Sequence, residues 1–242
     1  MRRFLVILSV GASALLSSSA YAGFVGLQSG TATFSQSSFS PDEAADGVFS
    51  TAVNGWAIAD AIGNTANQTA VWETSSNVGA GQLTFELHFG GTSLHMLGRF
   101  RVSVTADDRT TFADGLDSGG DVLASWTVLT SPNVVLPGSL THQVLADDSI
   151  LIGGAMPTNG AGVYSITYAN SLSDITGIRL EVFTDTTLPS DGPGLNTSGG
   201  FVLDEITLQS EPVPEPSSLA LLGMGITGLC GYGWRRKRHQ AA

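Results

Sequence analysis

From Leu83 to Phe89 the chain reads Leu-Thr-Phe-Glu-Leu-His-Phe, with apolar and polar residues in strict alternation. A period of two puts all the apolar side chains on one face, which is the pattern of a half-buried β-strand. The pattern recurs over 97–106, where Phe100, Val102 and Val104 share one face and Arg99, Arg101 and Ser103 the other. Further strands are expected at 32–34, 55–59, 70–73, 122–129, 163–168, 178–183 and 201–208, separated by turns rich in Gly, Asn and Asp. Many short strands with almost no helix imply an all-β fold, a single antiparallel β-sandwich or jelly roll. One short helical turn is expected. Ser40-Pro41-Asp42-Glu43 forms a capping box with Pro at the first helical position, and Asp46-Gly47 ends it.

The two ends of the chain do not follow this pattern. Arg2 and Arg3 precede an apolar run from Phe4 to Leu16, and Ala20-Tyr21-Ala22 follows. This is the order of a secretory signal peptide, residues 1–22, removed by signal peptidase between Ala22 and Gly23. At the other end, no charged residue occurs from Leu219 to Trp234, and Arg235, Arg236, Lys237 and Arg238 follow. Sixteen helical residues reach about 24 Å, a short span of a bilayer core that is about 30 Å thick. The basic cluster keeps the C-terminus on the cytoplasmic side, so everything between the two ends is exported.

Val213, Pro214, Glu215 and Pro216, followed by the apolar stretch and the terminal basic cluster, resemble the PEP-CTERM sorting signal of Gram-negative bacteria. The resemblance covers 212–238 and implies processing by a membrane exosortase. It also implies a transient hold in the inner membrane and a destination at the cell surface or in the extracellular matrix of a biofilm. A permanent anchor behind a stiff Pro-rich spacer is the plainer reading of the same residues.

Between the two labels, residues 23–211 are long enough for one domain with a sizeable core. They hold 20 Asp and Glu against Arg99, Arg101, Arg109 and Arg179, a net charge of −16, with no lysine. Such a surface repels nucleic acid and anionic lipid and suits divalent cations. The only cysteine, Cys230, lies in the tail, so the domain contains no disulfide.

The domain also resembles galactose-binding-like, discoidin-type jelly rolls. The similarity rests on Ala44-Ala45-Asp46-Gly47 before Gly55-Trp56, and on the closing Leu203-Asp204-Glu205-Ile206-Thr207-Leu208. It implies one structural calcium between the early turn and the last strand, with Asp46, Asp204 and Glu205 as candidate ligands. The acidic run Asp107, Asp108, Asp114, Asp117 and Asp121 offers other oxygens, although Asp is equally favoured in solvated turns.

No catalytic signature accompanies these features. Gly-x-Ser-x-Gly, a nucleophilic cysteine, His-Glu-x-x-His and a phosphate-binding Gly-rich loop before a helix are all missing from the sequence. His88, His95 and His142 read as ordinary surface histidines. Trp56, Trp72, Trp126, Tyr164 and Tyr168 are candidates for a sugar-stacking platform, with core packing the more natural role of the tryptophans. The 185–199 loop, with Asp191 and Asn196, is the better place for a ligand. The expected function is non-catalytic association with extracellular polysaccharide. A glycoside hydrolase-like enzyme with two facing carboxylates and a purely structural envelope protein are the alternatives.

Overall fold

A computed structural model of the chain describes residues 22–49, 54–58, 66–90, 95–157 and 161–212. The expected signal peptide through Tyr21, including Ala20, and the sorting segment from Val213 onward, with the expected membrane helix and Arg235 to Arg238, lie outside the described residues. Tyr21–Pro212 forms one compact unit.

The strands, in chain order, begin with β1 (Gly23–Val25), β2 (Leu27–Ala32), β3 (Trp56–Ala57), β4 (Gln68–Val78) and β5 (Gly81–Phe89). Next come β6 (Arg99–Thr105), β7 (Thr127–Val128), β8 (Asn133–Val135), β9 (Ser139–Val144) and β10 (Ile150–Ala155). The last are β11 (Gly162–Asn170), β12 (Ile175–Val182), β13 (Val202–Leu203) and β14 (Glu205–Pro212). One sheet has the order β1-β14-β5-β11-β8, and the second β2-β4-β12-β6-β10-β9, with β7 beside β6. A two-stranded ribbon joins β13 to β3. Every pairing among the described residues is antiparallel.

Alternation decides which face is buried. In β5, Leu83, Phe85 and Leu87 are fully buried, while Thr84, Glu86 and His88 lie on the outer face at intermediate exposure. In β6, Phe100, Val102 and Val104 point inward, as the sequence implies. Side chains of both sheets belong to one apolar cluster. Across it the rings of Phe100 and Tyr164 stack at 6.1 Å, and the Tyr164 hydroxyl donates to the Leu97 carbonyl at 3.0 Å. This is a β-sandwich.

Some of the expected strands shift. The strand expected at 32–34 is instead Leu27–Ala32, because the chain bends at Thr33 and leaves the sheet before Phe34. The strand expected at 122–129 shrinks to Thr127–Val128. Its apolar residues Val122, Ala124 and Trp126 pack on a satellite cluster of Val71, Phe112 and Ala113. The hairpin of β9 and β10 is not among the expected strands: Ile150 and Ile152 of β10 are buried, but in β9 only Leu140 is, as befits an edge strand. The expected helical turn is present as a 3-10 turn at Glu43–Ala45. Ser40 Oγ accepts from the Glu43 N–H at 3.2 Å, and Glu43 Oε2 from the Ser40 N–H at 3.3 Å, both bonds of the capping box.

Candidate functional site

The capped turn is held against the core by Trp72, whose buried Nε1–H donates to the Pro41 carbonyl at 2.8 Å. The turn ends at Asp46, whose Oδ1 accepts from the Val48 N–H at 2.7 Å. Gly47 follows with φ of 78°, a left-handed conformation natural to glycine. Its N–H points at Glu205 on β14, 3.2 and 3.3 Å from the two carboxylate oxygens. The early turn is thus strapped to the final strand.

Asp204 and Glu205 are consecutive yet both buried, at 2% and 3% exposure. A regular strand would send one of them outward. Here the Asp204 N–H donates to the His88 carbonyl at 3.0 Å, while Glu205 is itself the register partner of His88. Two residues face one, as in a bulge, and the extra residue turns its side chain inward. Gly55, with φ of 102°, closes over this point. A Cβ there would lie 2.0 Å from the Leu203 carbonyl oxygen and 2.7 Å from Asp204 Cα.

Burial pushes the Glu205 carboxyl up to about 7, helped by the nearby Asp46 charge and opposed by the Gly47 N–H. Burial likewise raises Asp204 to about 6, against the Gly90 and Asn54 N–H groups. Asp204 Oδ2 accepts from the Gly90 N–H, whereas Oδ1 has no hydrogen-bond partner among the described residues. The ion pairs among the described residues join Arg99 to Asp147 and Asp185, Arg101 and Arg179 to Glu181, and His88 to Glu86. None reaches Asp204 or Glu205.

Asp204 forms part of the wall of a cavity of about 160 Å³, together with Phe49, His88, Phe89 and Val163; Gly90 and Gly162 complete it. Phe49 is 61% exposed and meets the His88 ring edge-on at 4.7 Å. Burial lowers the His88 pKa below its usual range, and Glu86, 3.5 Å from Nε2, acts the other way.

Of the three expected calcium ligands, Asp46 and Glu205 are neighbours across the strap, and Asp204 makes its contacts in the cavity wall. Among the described residues no group of three or more His, Cys, Asp or Glu side chains is placed to hold a metal. Any further ligands for a cation here would have to be backbone carbonyls and water.

The other candidates are placed as follows. Trp56, Trp72, Tyr164 and Tyr168 are fully buried, so they form core and no sugar platform. Trp126 stands beside the Arg179 guanidinium at 5.2 Å. Four of the five carboxylates at 107–121 accept protein hydrogen bonds, Asp114 also from the distant Thr31 hydroxyl. Asp107 accepts from the Ser125 N–H, Asp108 from Thr110, Asp114 from Leu116 and Asp121 from Leu123. In the 185–199 loop, Ser190 and Asp191 have φ of 51° and 55°, and the Gly194 N–H donates to the Gly199 carbonyl at 2.9 Å. The loop is closed by its own backbone and tied to 96–99 through Pro193 and Leu195. His95 is half-buried, which lowers its pKa, and His142 is exposed on β9. Sequence reasoning missed Phe49 and Val163; their signal was a lone aromatic just after the Asp46-Gly47 turn and an apolar residue on a strand's polar face.

The family model for the PEP-CTERM protein-sorting motif matches residues 212–237. That span holds the Pro-Glu-Pro motif and all of the terminal basic cluster except Arg238. No curated protein matches the chain. Among solved structures, a family 32 carbohydrate-binding module from C. perfringens NanJ in complex with galactose is similar at 10% identity and a TM-score of 0.44. It covers 78% of this chain and 100% of that one. Reduced XRCC1 bound to the DNA polymerase β catalytic domain is similar at 10% identity and a TM-score of 0.42, with the same coverage. Among the described residues no helix is long and apolar enough to cross a membrane. The match over 212–237 marks this chain as an exported protein with a C-terminal sorting signal.

Proposed function

We propose that the β-sandwich is delivered by its sorting tail to the cell surface or extracellular matrix, where it binds extracellular polysaccharide without catalysis. Signal peptidase and exosortase act on the two ends during processing, and the inner membrane holds the chain only transiently. The observation that carries the binding part is the cavity beside β14. It is walled by Phe49, Phe89 and Val163 and contains a buried carboxylate with an unpartnered oxygen. Apolar walls with a few polar groups are what a sugar ring requires, C–H faces against aromatics and hydroxyls against oxygen acceptors. Protein recovered from the exported fraction of an expressing bacterium, applied to a glycan array and to matrix pull-downs, tests the reading. Failure to bind any polysaccharide, including the host's own matrix, overturns it.

A structural calcium belongs to the same proposal. Glu205 is buried without a cationic partner, and Asp46 adds a second negative charge beside it. A divalent cation held by these two carboxylates and by backbone oxygens would neutralise both. An enzymatic reading draws support from two adjacent carboxyls, Asp204 and Glu205, both raised toward neutrality. Assays for release of reducing ends from bound polysaccharide distinguish it from simple binding.

A further inference from the structure

The cavity beside β14 is tied to a more specific ligand by its charge. We infer that it receives a sugar unit bearing a free ammonium group, an unacetylated hexosamine, with Asp204 as the counter-charge. This rests on the polysaccharide-binding reading above and narrows it.

The first argument is a buried carboxylate with no cationic partner among the described residues. Asp204 is 2% exposed, forms part of the cavity wall, and leaves Oδ1 without a partner among the described residues. A buried acceptor in that state is costly, and a charged donor satisfies it better than a neutral hydroxyl. The domain has no cation of its own to send. Residues 23–211 contain no lysine. Arg99 is held by Asp147 and Asp185, and Arg101 and Arg179 by Glu181. Arg109 is spent on the Thr74 carbonyl and Asn77.

The second argument is the wall chemistry. Phe49 is 61% exposed and Val163 37%, and Phe89 lies behind them. An aromatic face attracts an ammonium through its quadrupole and also stacks on a sugar's C–H face. His88 in this wall has its own carboxylate neighbour, Glu86, 3.5 Å from Nε2. A uronic acid would bring a carboxylate toward Asp204 and be repelled.

Size and field agree. About 160 Å³ is below the usual range of roughly 300–1,000 Å³ for small-molecule sites, so the cavity takes part of one ring rather than a chain segment. The charge of −16 over residues 23–211, from 20 acids and four arginines, draws cationic polymers toward the surface.

The general attraction must be separated from the specific site, and the test is built for that. Processed protein recovered from the exported fraction is titrated calorimetrically with the trimer of glucosamine, its N-acetylated counterpart and a neutral glucose trimer. Asp204→Asn and Phe49→Ala are compared with Asp117→Asn, which removes the same charge from an exposed residue outside the cavity. The expected result is preference for the glucosamine trimer, with binding about tenfold or more weaker in Asp204→Asn. Phe49→Ala should weaken it about two- to fivefold and Asp117→Asn should not change it. Equal losses in Asp204→Asn and Asp117→Asn would reduce the effect to bulk charge and overturn the inference. So would equal binding of the acetylated trimer. If Asp204→Asn does not fold, unchanged binding in Phe49→Ala overturns it alone. Binding of neutral or acidic polysaccharide that ignores both cavity variants refutes the inference and leaves the polysaccharide reading standing; no binding of any glycan removes both.

Discussion

Glu205→Gln removes one ionisable group and keeps the shape of the side chain and its ability to accept from the Gly47 N–H. Glu205 is 3% exposed, and burial together with Asp46 raises its carboxyl from 4.5 to about 7. The folded protein therefore holds a proton there that the unfolded chain has already lost. Its stabilising contribution is fully present below pH 4.5 and is lost as the pH rises through about 7. At about 1.4 kcal/mol per tenfold change in proton affinity, the loss is about 3 kcal/mol. For a domain of this size that is about 6–12 °C in melting temperature. The assay is thermal unfolding in EDTA at pH 5 and pH 8. Wild-type and Glu205→Gln should be close at pH 5, and the variant should be about 3 kcal/mol more stable at pH 8. The shifted groups Asp204, His88 and His95 are present in both proteins and cancel in the comparison. Added calcium should then raise the wild-type melting temperature and leave the variant's unchanged, since the ion binds only where the charge remains. Parallel pH profiles for the two proteins would refute the buried, unpaired state of Glu205. A wild-type melting temperature indifferent to both EDTA and calcium would refute the metal.

Three further outcomes test the architecture around the site. Gly55→Ala places a Cβ 2.0 Å from the Leu203 carbonyl oxygen at a φ of 102°; it should cost about 3 kcal/mol or more in urea unfolding, and a loss under about 1 kcal/mol would contradict the close approach. Trp72→Ala empties a fully buried site and frees the Pro41 carbonyl, so a loss of about 3–5 kcal/mol is expected, together with faster amide exchange in the 40–47 turn. Arg101→Gln leaves Glu181, 13% exposed, with Arg179 as its remaining ion-pair partner; it should lower stability by about 1–3 kcal/mol, less at high salt, and an unchanged melting temperature would show that the pair contributes nothing.

How much was legible follows from what each signal depends on. Strands buried on one face announce themselves through alternation, and β5, β6 and β11 stand where the sequence places them. Edge strands bury too little to leave that imprint, which hides β9. The run 122–129 is apolar because Trp126 packs on a satellite cluster, and composition cannot distinguish that from a strand. The capping box is readable because its two hydrogen bonds span only three residues.

The sequence by itself determined the C-terminal sorting signal, the all-β class, the acidic lysine-free domain and the local turns, all of which depend on composition or on neighbours within a few residues. Only the tertiary structure decided the site. Asp46 and Glu205 are 159 positions apart, and they meet because β14 pairs with β5 while Trp72 holds the early turn on the core. The burial of two consecutive acids depends on a bulge opposite His88, and the cavity's apolar wall on Phe49 and Val163 arriving from separate segments. Long-range contacts set how far each carboxylate is desolvated, and desolvation turns ordinary turn and strand residues into a candidate binding site.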